Sequence, residues 1–215
     1  MQTTEATLIE IKKAVCARMD GTTASLMRYR GASECDYIMG LSIPQIRDLA
    51  KQYIPSEELS SELLKHKMRE LRLLGILLFP QNKLGVQQLT SLLSKVASRE
   101  EAELLSYHLI APSESFDSLI DTLLRSNILF ASEAAYNALA RRALLKMPIK
   151  RSILERALIR IENDPELHES SMHFLVRLSE YTELKELMSE HVKQWAISEK
   201  ETLRRLSNVL SEVVD

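Results

Sequence analysis

Hydrophobic positions recur at intervals of three and four residues from one end of this chain to the other. Within 43–53 the residues Ile46, Leu49, Ala50 and Tyr53 fall on one stripe. Leu71, Leu74, Gly75 and Leu78 repeat that spacing, and Ile153, Leu154, Ala157, Leu158 and Ile161 make a third stripe. Offsets of three, four and seven put side chains on one face of a helix, so each run predicts an amphipathic helix. The breaks between runs are short: Asp20-Gly21, Pro55-Ser56, Phe79-Pro80-Gln81-Asn82, Ala111-Pro112-Ser113, Met147-Pro148 and Asn163-Asp164-Pro165. Ser56, Ser113 and Ser198 precede acidic residues, a pattern suited to capped helix starts at the positive end of the helix dipole. Pro44 fits the first turn of its helix, where a missing N–H is harmless. No segment alternates apolar and polar residues for long, and no hairpin turn is flanked by strand-like residues. The pattern predicts about a dozen short helices and an all-α fold.

Many short antiparallel helices cannot share one bundle core. Stacking them as pairs buries each stripe against its neighbours, so the expected architecture is an α–α superhelix of HEAT-like pairs. This rests on helix number and length, since no repeat period is visible. No linker rich in Pro, Gly or Ser divides the chain, and a single domain over residues 1–215 is expected.

Composition agrees with that picture. Of 215 residues, 45% are hydrophobic and 27% charged, which excludes a disordered chain; only five glycines and six prolines interrupt helix-favouring residues. A net charge of −2 lacks the excess of a dedicated nucleic-acid binder. Local distribution matters more than the sum. Between 141 and 160 lie Arg141, Arg142, Lys146, Lys150, Arg151, Arg156 and Arg160, with Glu155 the one acid among them. Arg142 and Lys146 are four apart, as are Arg156 and Arg160, and each pair is expected to share a helix face. Arg142, Lys146, Lys150, Arg151, Arg156 and Arg160 are therefore the predicted DNA-binding set, a track for phosphates. The competing reading is a solvated face whose arginines pair with acids such as Glu162 and Asp164. A second basic set, Lys65, Lys67, Arg69 and Arg72, surrounds Glu70; Arg72 is expected to pair with Glu70 or Asp48. Glu100, Glu101, Glu103, Glu114, Asp117 and Asp121 make the middle of the chain acidic.

Candidate chemistry is sparse. His168 and His173 are five apart and diverge by about 140° on a helix, so they do not form a metalloprotease zinc pair. There is no Cys-x-x-Cys, P-loop, dinucleotide fingerprint or nucleophile elbow, and neither a metal nor a cofactor is expected. Cys16 and Cys35 read as reduced thiols. The first five residues lack a signal-peptide pattern, and no apolar run approaches the roughly 18 residues of a membrane span. A cytoplasmic protein without a membrane partner is expected.

The segment Gly40-Leu41-Ser42-Ile43-Pro44-Gln45-Ile46-Arg47-Asp48-Leu49-Ala50-Lys51 and the following pair Glu70 and Arg72 resemble the DNA alkylation repair family of HEAT-like glycosylases, the AlkD-like superfamily. Leu123-Leu124-Arg125-Ser126-Asn127 and the run 174–181, ending Ser179-Glu180-Tyr181, are similar to two further family helices. The likeness extends over residues 29–181 and implies a HEAT-like superhelix acting on DNA. The family's glycosylases carry a Trp-Asp-x-Val-Asp segment, whose last Asp stabilises a cationic sugar while aromatic faces hold the lesion. The corresponding stretch here is Glu101-Ala102-Glu103-Leu104-Leu105-Ser106. Ser106 stands at the acid's place and Ala102 or its neighbour at a tryptophan's; Glu103, one turn away, is the substitute carboxylate to test. The family's arginine on the next helix falls near Glu133, and Trp195 lies beyond the matched region. The resemblance implies the fold and a DNA partner, duplex or branched, without the usual catalytic groups. Two other functions remain open: a glycosylase with rearranged catalytic residues, and a scaffold for a protein partner.

Overall fold

The computed structural model describes residues 3–30, 36–163, 169–179 and 185–214. The chain folds as two compact units, Met1–Leu109 and Ile110–Asp215. The first holds α1 (Thr4–Cys16), α2 (Gly21–Tyr29), α3 (Ile43–Ala50), α4 (Glu57–Leu64), α5 (Arg69–Leu77), α6 (Val86–Leu93) and α7 (Arg99–Leu105). The second holds α8 (Phe116–Arg125), α9 (Ala131–Leu144), α10 (Arg151–Asn163), α11 (Glu169–Ser179), α12 (Lys185–Ala196) and α13 (Glu201–Val214). Among the described residues there is no strand, only an isolated bridge between Tyr37 and Met68. No helix of the described residues is long and apolar enough to cross a membrane.

In the first unit α5 is the central element, packed on α1, α3, α4 and α7. Every residue of α5 is buried, its three charged residues included, and a helix buried all round must have each polar group partnered. Gly75 lets α4 close against it: a Cβ there would lie 2.9 Å from Leu64 Cγ and 3.1 Å from the Ser60 carbonyl. The Ser60 hydroxyl donates to the Gly75 carbonyl at 2.6 Å. Ahead of α3 the chain turns at Gly40, whose φ of +87° suits glycine alone. Ser42 and Gln45 then form a capping box, with Pro44 in the first turn as the sequence predicts. α3 ends at Ala50, so Tyr53, the last member of the expected stripe, lies beyond the helix. Burial and the Glu10 carboxylate raise the pKa of its phenol.

In the second unit neighbours two apart in sequence pack together: α8 with α10, and α9 with α11, which packs on α13. Tyr136 of α9 stacks on Phe174 of α11 with ring centroids 6.1 Å apart. Pairing of alternate helices, combined with the adjacent pair α8–α9, is the two-layer logic of a HEAT-like stack. The all-α expectation holds. Two expected caps move: α8 begins at Phe116 rather than beside Ser113, whose hydroxyl accepts the Ser115 N–H. Ser198 likewise accepts from Lys200 N, and α13 starts at Glu201. In both places a serine turn precedes the helix and takes up its side chain.

Candidate nucleic-acid interface

The predicted basic set lies in the second unit, and two of its members, Lys150 and Arg156, meet acids of α8. On α8, Asp117, Asp121 and Arg125 succeed one another at four-residue spacing, while Phe116, Leu119, Ile120, Leu123 and Leu124 are buried. On α10, Ile153, Leu154, Ala157, Leu158 and Ile161 are buried, as their stripe predicts. Lys150 Nζ lies 2.7 Å from Asp117 Oδ2. Arg156 Nε lies 3.2 Å from Asp121 Oδ1, whose other oxygen is 3.1 Å from Arg125 Nε. The two bridges advance together along both helices, so α8 and α10 run parallel. Arg156 Nε and Asp121 Oδ1 are within ion-pair distance, yet neither has a hydrogen-bond partner. The distance is sound and the angle is poor, so this is a charge contact and not a directed bond. Arg151 pairs with Glu155 one turn along, at 2.9 Å. Arg160 Nε is buried with no hydrogen-bond partner among the described residues.

Arg142 has a different setting. Its guanidinium donates to the carbonyls of Ala111, Pro148 and Ser113 at 3.0, 3.3 and 3.3 Å, and its centre lies 4.0 Å above the Phe116 ring. Burial lowers its pKa and Asp117 opposes that shift. These bonds tie the half-buried Arg142 to the scaffold. The face it was expected to share with Lys146 is absent: α9 ends at Leu144 and Lys146 sits beyond it with φ +53°, exposed. A helix cannot continue through a left-handed residue, and the i,i+4 relation ends there.

The two arginines of the second basic set are structural. Arg72 forks onto Glu101, Nε to Oε1 at 2.6 Å and Nη2 to Oε2 at 2.8 Å, and also donates to the Leu64 and Lys95 carbonyls. Its partner is thus neither Glu70 nor Asp48. Asp48 pairs with Lys51, and Glu70 accepts the N–H groups of Met39 and Gly40, both at 3.0 Å, together with Arg69. Arg69 in turn forks onto Glu100. Lys65 and Lys67 pair at the surface with Glu62 and Asp36.

The stretch that stands in for the family's catalytic segment spans α7 and a π turn, Ser106–Ile110. Ser106 is fully buried and its hydroxyl donates to the Ala102 carbonyl at 2.6 Å; Ala102 is also fully buried. Glu101 is bound to Arg72, and Glu103 faces solvent. His108 Nε2 lies 3.1 Å from the Leu77 carbonyl, an acceptor, so Nε2 carries the proton. Nδ1 is then the acceptor facing the Gln81 amide nitrogen at 3.4 Å. Burial lowers the pKa of His108, and Arg47 adds to the effect against the pull of the Leu77 carbonyl. His66 is shifted the same way, by burial first and then by Lys12. A histidine whose folded pKa lies below its ordinary 6.5 contributes stability above pH 6.5, and loses it as pH falls through the folded value. Acidification from pH 7 to pH 5.5 is therefore expected to lower stability towards urea, and His108→Gln, which keeps a donor for Leu77, is expected to flatten that slope.

No protein-family model matches the sequence, and no curated protein matches it. A solved structure does. It is described as "a new family of proteins related to the HEAT-like repeat DNA glycosylases with affinity for branched DNA structures", and it superposes with a TM-score of 0.72 over 95% of this chain and 94% of that one, at 12% identity. The chain shares that protein's HEAT-like repeat fold. The likeness noted at the Gly40 elbow and the Glu70 helix is met at the level of fold: Gly40, Pro44, Glu70 and Arg72 are the elbow, the helix start and the buried ion pairs of the first unit. Of the further segments, Leu123-Leu124-Arg125 ends α8 and Phe174 lies on α11, whereas Glu180 and Tyr181 fall outside the described residues. His168, Asp164 and Cys35 fall outside them too; His173 is exposed on α11. Trp195 is buried in the second unit, where its indole donates to Glu162 at 2.8 Å beside His191, 2.9 Å from the same oxygen. That contact takes up Glu162, one of the acids expected to neutralise the arginines. Asp117 and Asp121 do so instead. The signal available in the sequence was their spacing with Arg125 on one helix edge.

Proposed function

We propose that this protein binds DNA, branched duplexes in preference to plain ones, and does not excise bases. The binding surface is the α8–α10 seam with the end of α9: Lys146, Lys150, Arg151, Arg156 and Arg160 reach phosphates, and Arg142, bound to three carbonyls, holds the surrounding loops in place. The observation that carries the reading is the shared fold with a protein described as having affinity for branched DNA. The cations of the seam supply the chemistry, because phosphate contacts from Lys and Arg release counterions whatever the base sequence. Ser106, buried and bound to its own helix, supports a role without base excision: a neutral hydroxyl with its proton committed offers no charge to an oxocarbenium ion.

The triple variant Lys146→Gln, Lys150→Gln, Arg156→Gln is expected to weaken junction binding at least about tenfold and to flatten the dependence of log K on log salt by about 2 to 3. Unchanged affinity and slope, with an unchanged melting curve, would remove this surface from the account. Release of methylated purines from DNA by the wild type would refute the non-catalytic reading. A protein partner is the second reading, favoured by Leu144 and Leu145, which are exposed beside the same surface.

A further inference from the structure

Resting on that DNA reading, we infer that Asp117 and Asp121 set its specificity: they hold the seam's cations back from an ordinary duplex and leave them to sites where phosphates are dense. In each bridge the carboxylate is the more enclosed partner. Asp117 is 34% exposed under a Lys150 that is 73% exposed, and Asp121 is 28% exposed between Arg125 at 70% and Arg156 at 42%. The acids are the inner partners of these bridges, and Lys150 and Arg125 are the cations most open to a ligand. A phosphate approaching Lys150 meets a second anion 2.7 Å from the same nitrogen, and one approaching the Arg156 guanidinium meets Asp121 held 3.2 Å from its buried Nε. It must tolerate that repulsion or draw the cation off its carboxylate.

Lys150 and Arg125 have solvent around them in which to move, and Arg156 is part exposed beyond its buried Nε, so the exchange is open to a ligand with enough charge. One backbone of a straight duplex presents a single row of phosphates to the seam. Two backbones converging at a branch present more negative charge over the same area, and repay the loss of the two bridges more fully. Discrimination between the two ligands then comes from what the protein sets against the weaker one. Asp121 has the larger share, because it engages two arginines at once. Neutralising it frees both of them.

The test compares wild type, Asp121→Asn, Asp117→Asn and Glu62→Gln by titration against a four-way junction and a duplex of equal length. Glu62→Gln removes one negative charge from an exposed pair in the first unit and so controls for net charge. Asp121→Asn is expected to tighten duplex binding about tenfold and junction binding only about two- to threefold, which lowers the junction-to-duplex ratio. Its salt slope on duplex is expected to steepen by about 1 to 2. Asp117→Asn is expected to move the same way by a smaller factor, and it carries the test alone if the Asp121 variant fails to fold. Wild-type binding with an unaltered ratio in both variants overturns the inference and leaves the DNA reading standing. An equal gain from Glu62→Gln overturns it as well. No binding of either DNA by wild type or variants at low salt fails the DNA reading itself.

Discussion

Glu101→Ala is expected to destabilise the first unit by about 3 to 5 kcal/mol, a large share of what holds a domain of this size together. The carboxylate is 1% exposed and grips the Arg72 guanidinium with both oxygens. It also accepts the Ala97 N–H at 2.9 Å, closing the turn that leads into α7. Its removal leaves a guanidinium of 10% exposure without its counter-charge, inside a helix that has no solvent face. The cost of an orphaned buried charge exceeds any gain the intact pair offers over apolar side chains. Arg72→Met with Glu101→Leu is accordingly expected to recover part of the loss. Recovery is incomplete, because the Leu64 and Lys95 carbonyls lose a donor in the double variant. Urea unfolding of Arg72→Met, Glu101→Leu and the double gives the coupling energy. A single variant within about 1 kcal/mol of wild type would mean that the buried pair is not what fixes α5 to α7.

Gly40→Ala is the second large effect. At φ +87° an alanine is strained in any surroundings, and here its Cβ would stand 2.2 Å from the Asp20 carbonyl oxygen and 2.9 Å from Ala24 N. Both obstacles are main chain, so no side chain can swing aside. The Asp20 backbone is fixed from both directions: its N–H donates to the Met39 carbonyl at 2.9 Å, and its carboxylate caps α2 through Thr23. The main-chain hydrogen bond from Gly40 to Glu70 constrains the elbow further. A loss of more than about 3 kcal/mol is expected. Gly21→Ala supplies the contrast. Nothing lies within 4 Å of the added carbon at that helical position, and a gain of about 0.5 to 1 kcal/mol is expected. Thermal melts of the two variants should move in opposite directions; a mild loss at Gly40 would show that the elbow can yield.

The helices were legible in the sequence because their stripes depend only on local spacing: all three named stripes fall in helices, except that the last members of two, Tyr53 and Leu78, lie just past the ends of α3 and α5. The ends were less so. α9 stops before Lys146, and no residue between Arg142 and Lys146 announces the left-handed turn. Tertiary partners were the least legible part. Arg72 finds Glu101, a residue 29 positions away, and Glu70 spends its carboxylate on main-chain N–H groups of the elbow. Spacing along one helix carries no information about either. For the basic set, the sequence showed the cations and not their geometry. Lys150 and Arg156 meet acids of a different helix, and Arg142 is half-buried and held by three carbonyls. Composition alone would have counted all three as equivalent.

The most direct measurement is the binding of wild-type protein to a four-way junction and to a duplex of equal length, followed by fluorescence anisotropy at about 50 and about 200 mM salt. The account predicts tighter binding to the junction at both concentrations, with affinity for each DNA falling by at least about tenfold across that range. Equal affinity for the two DNAs, or no binding at the lower salt, would contradict it.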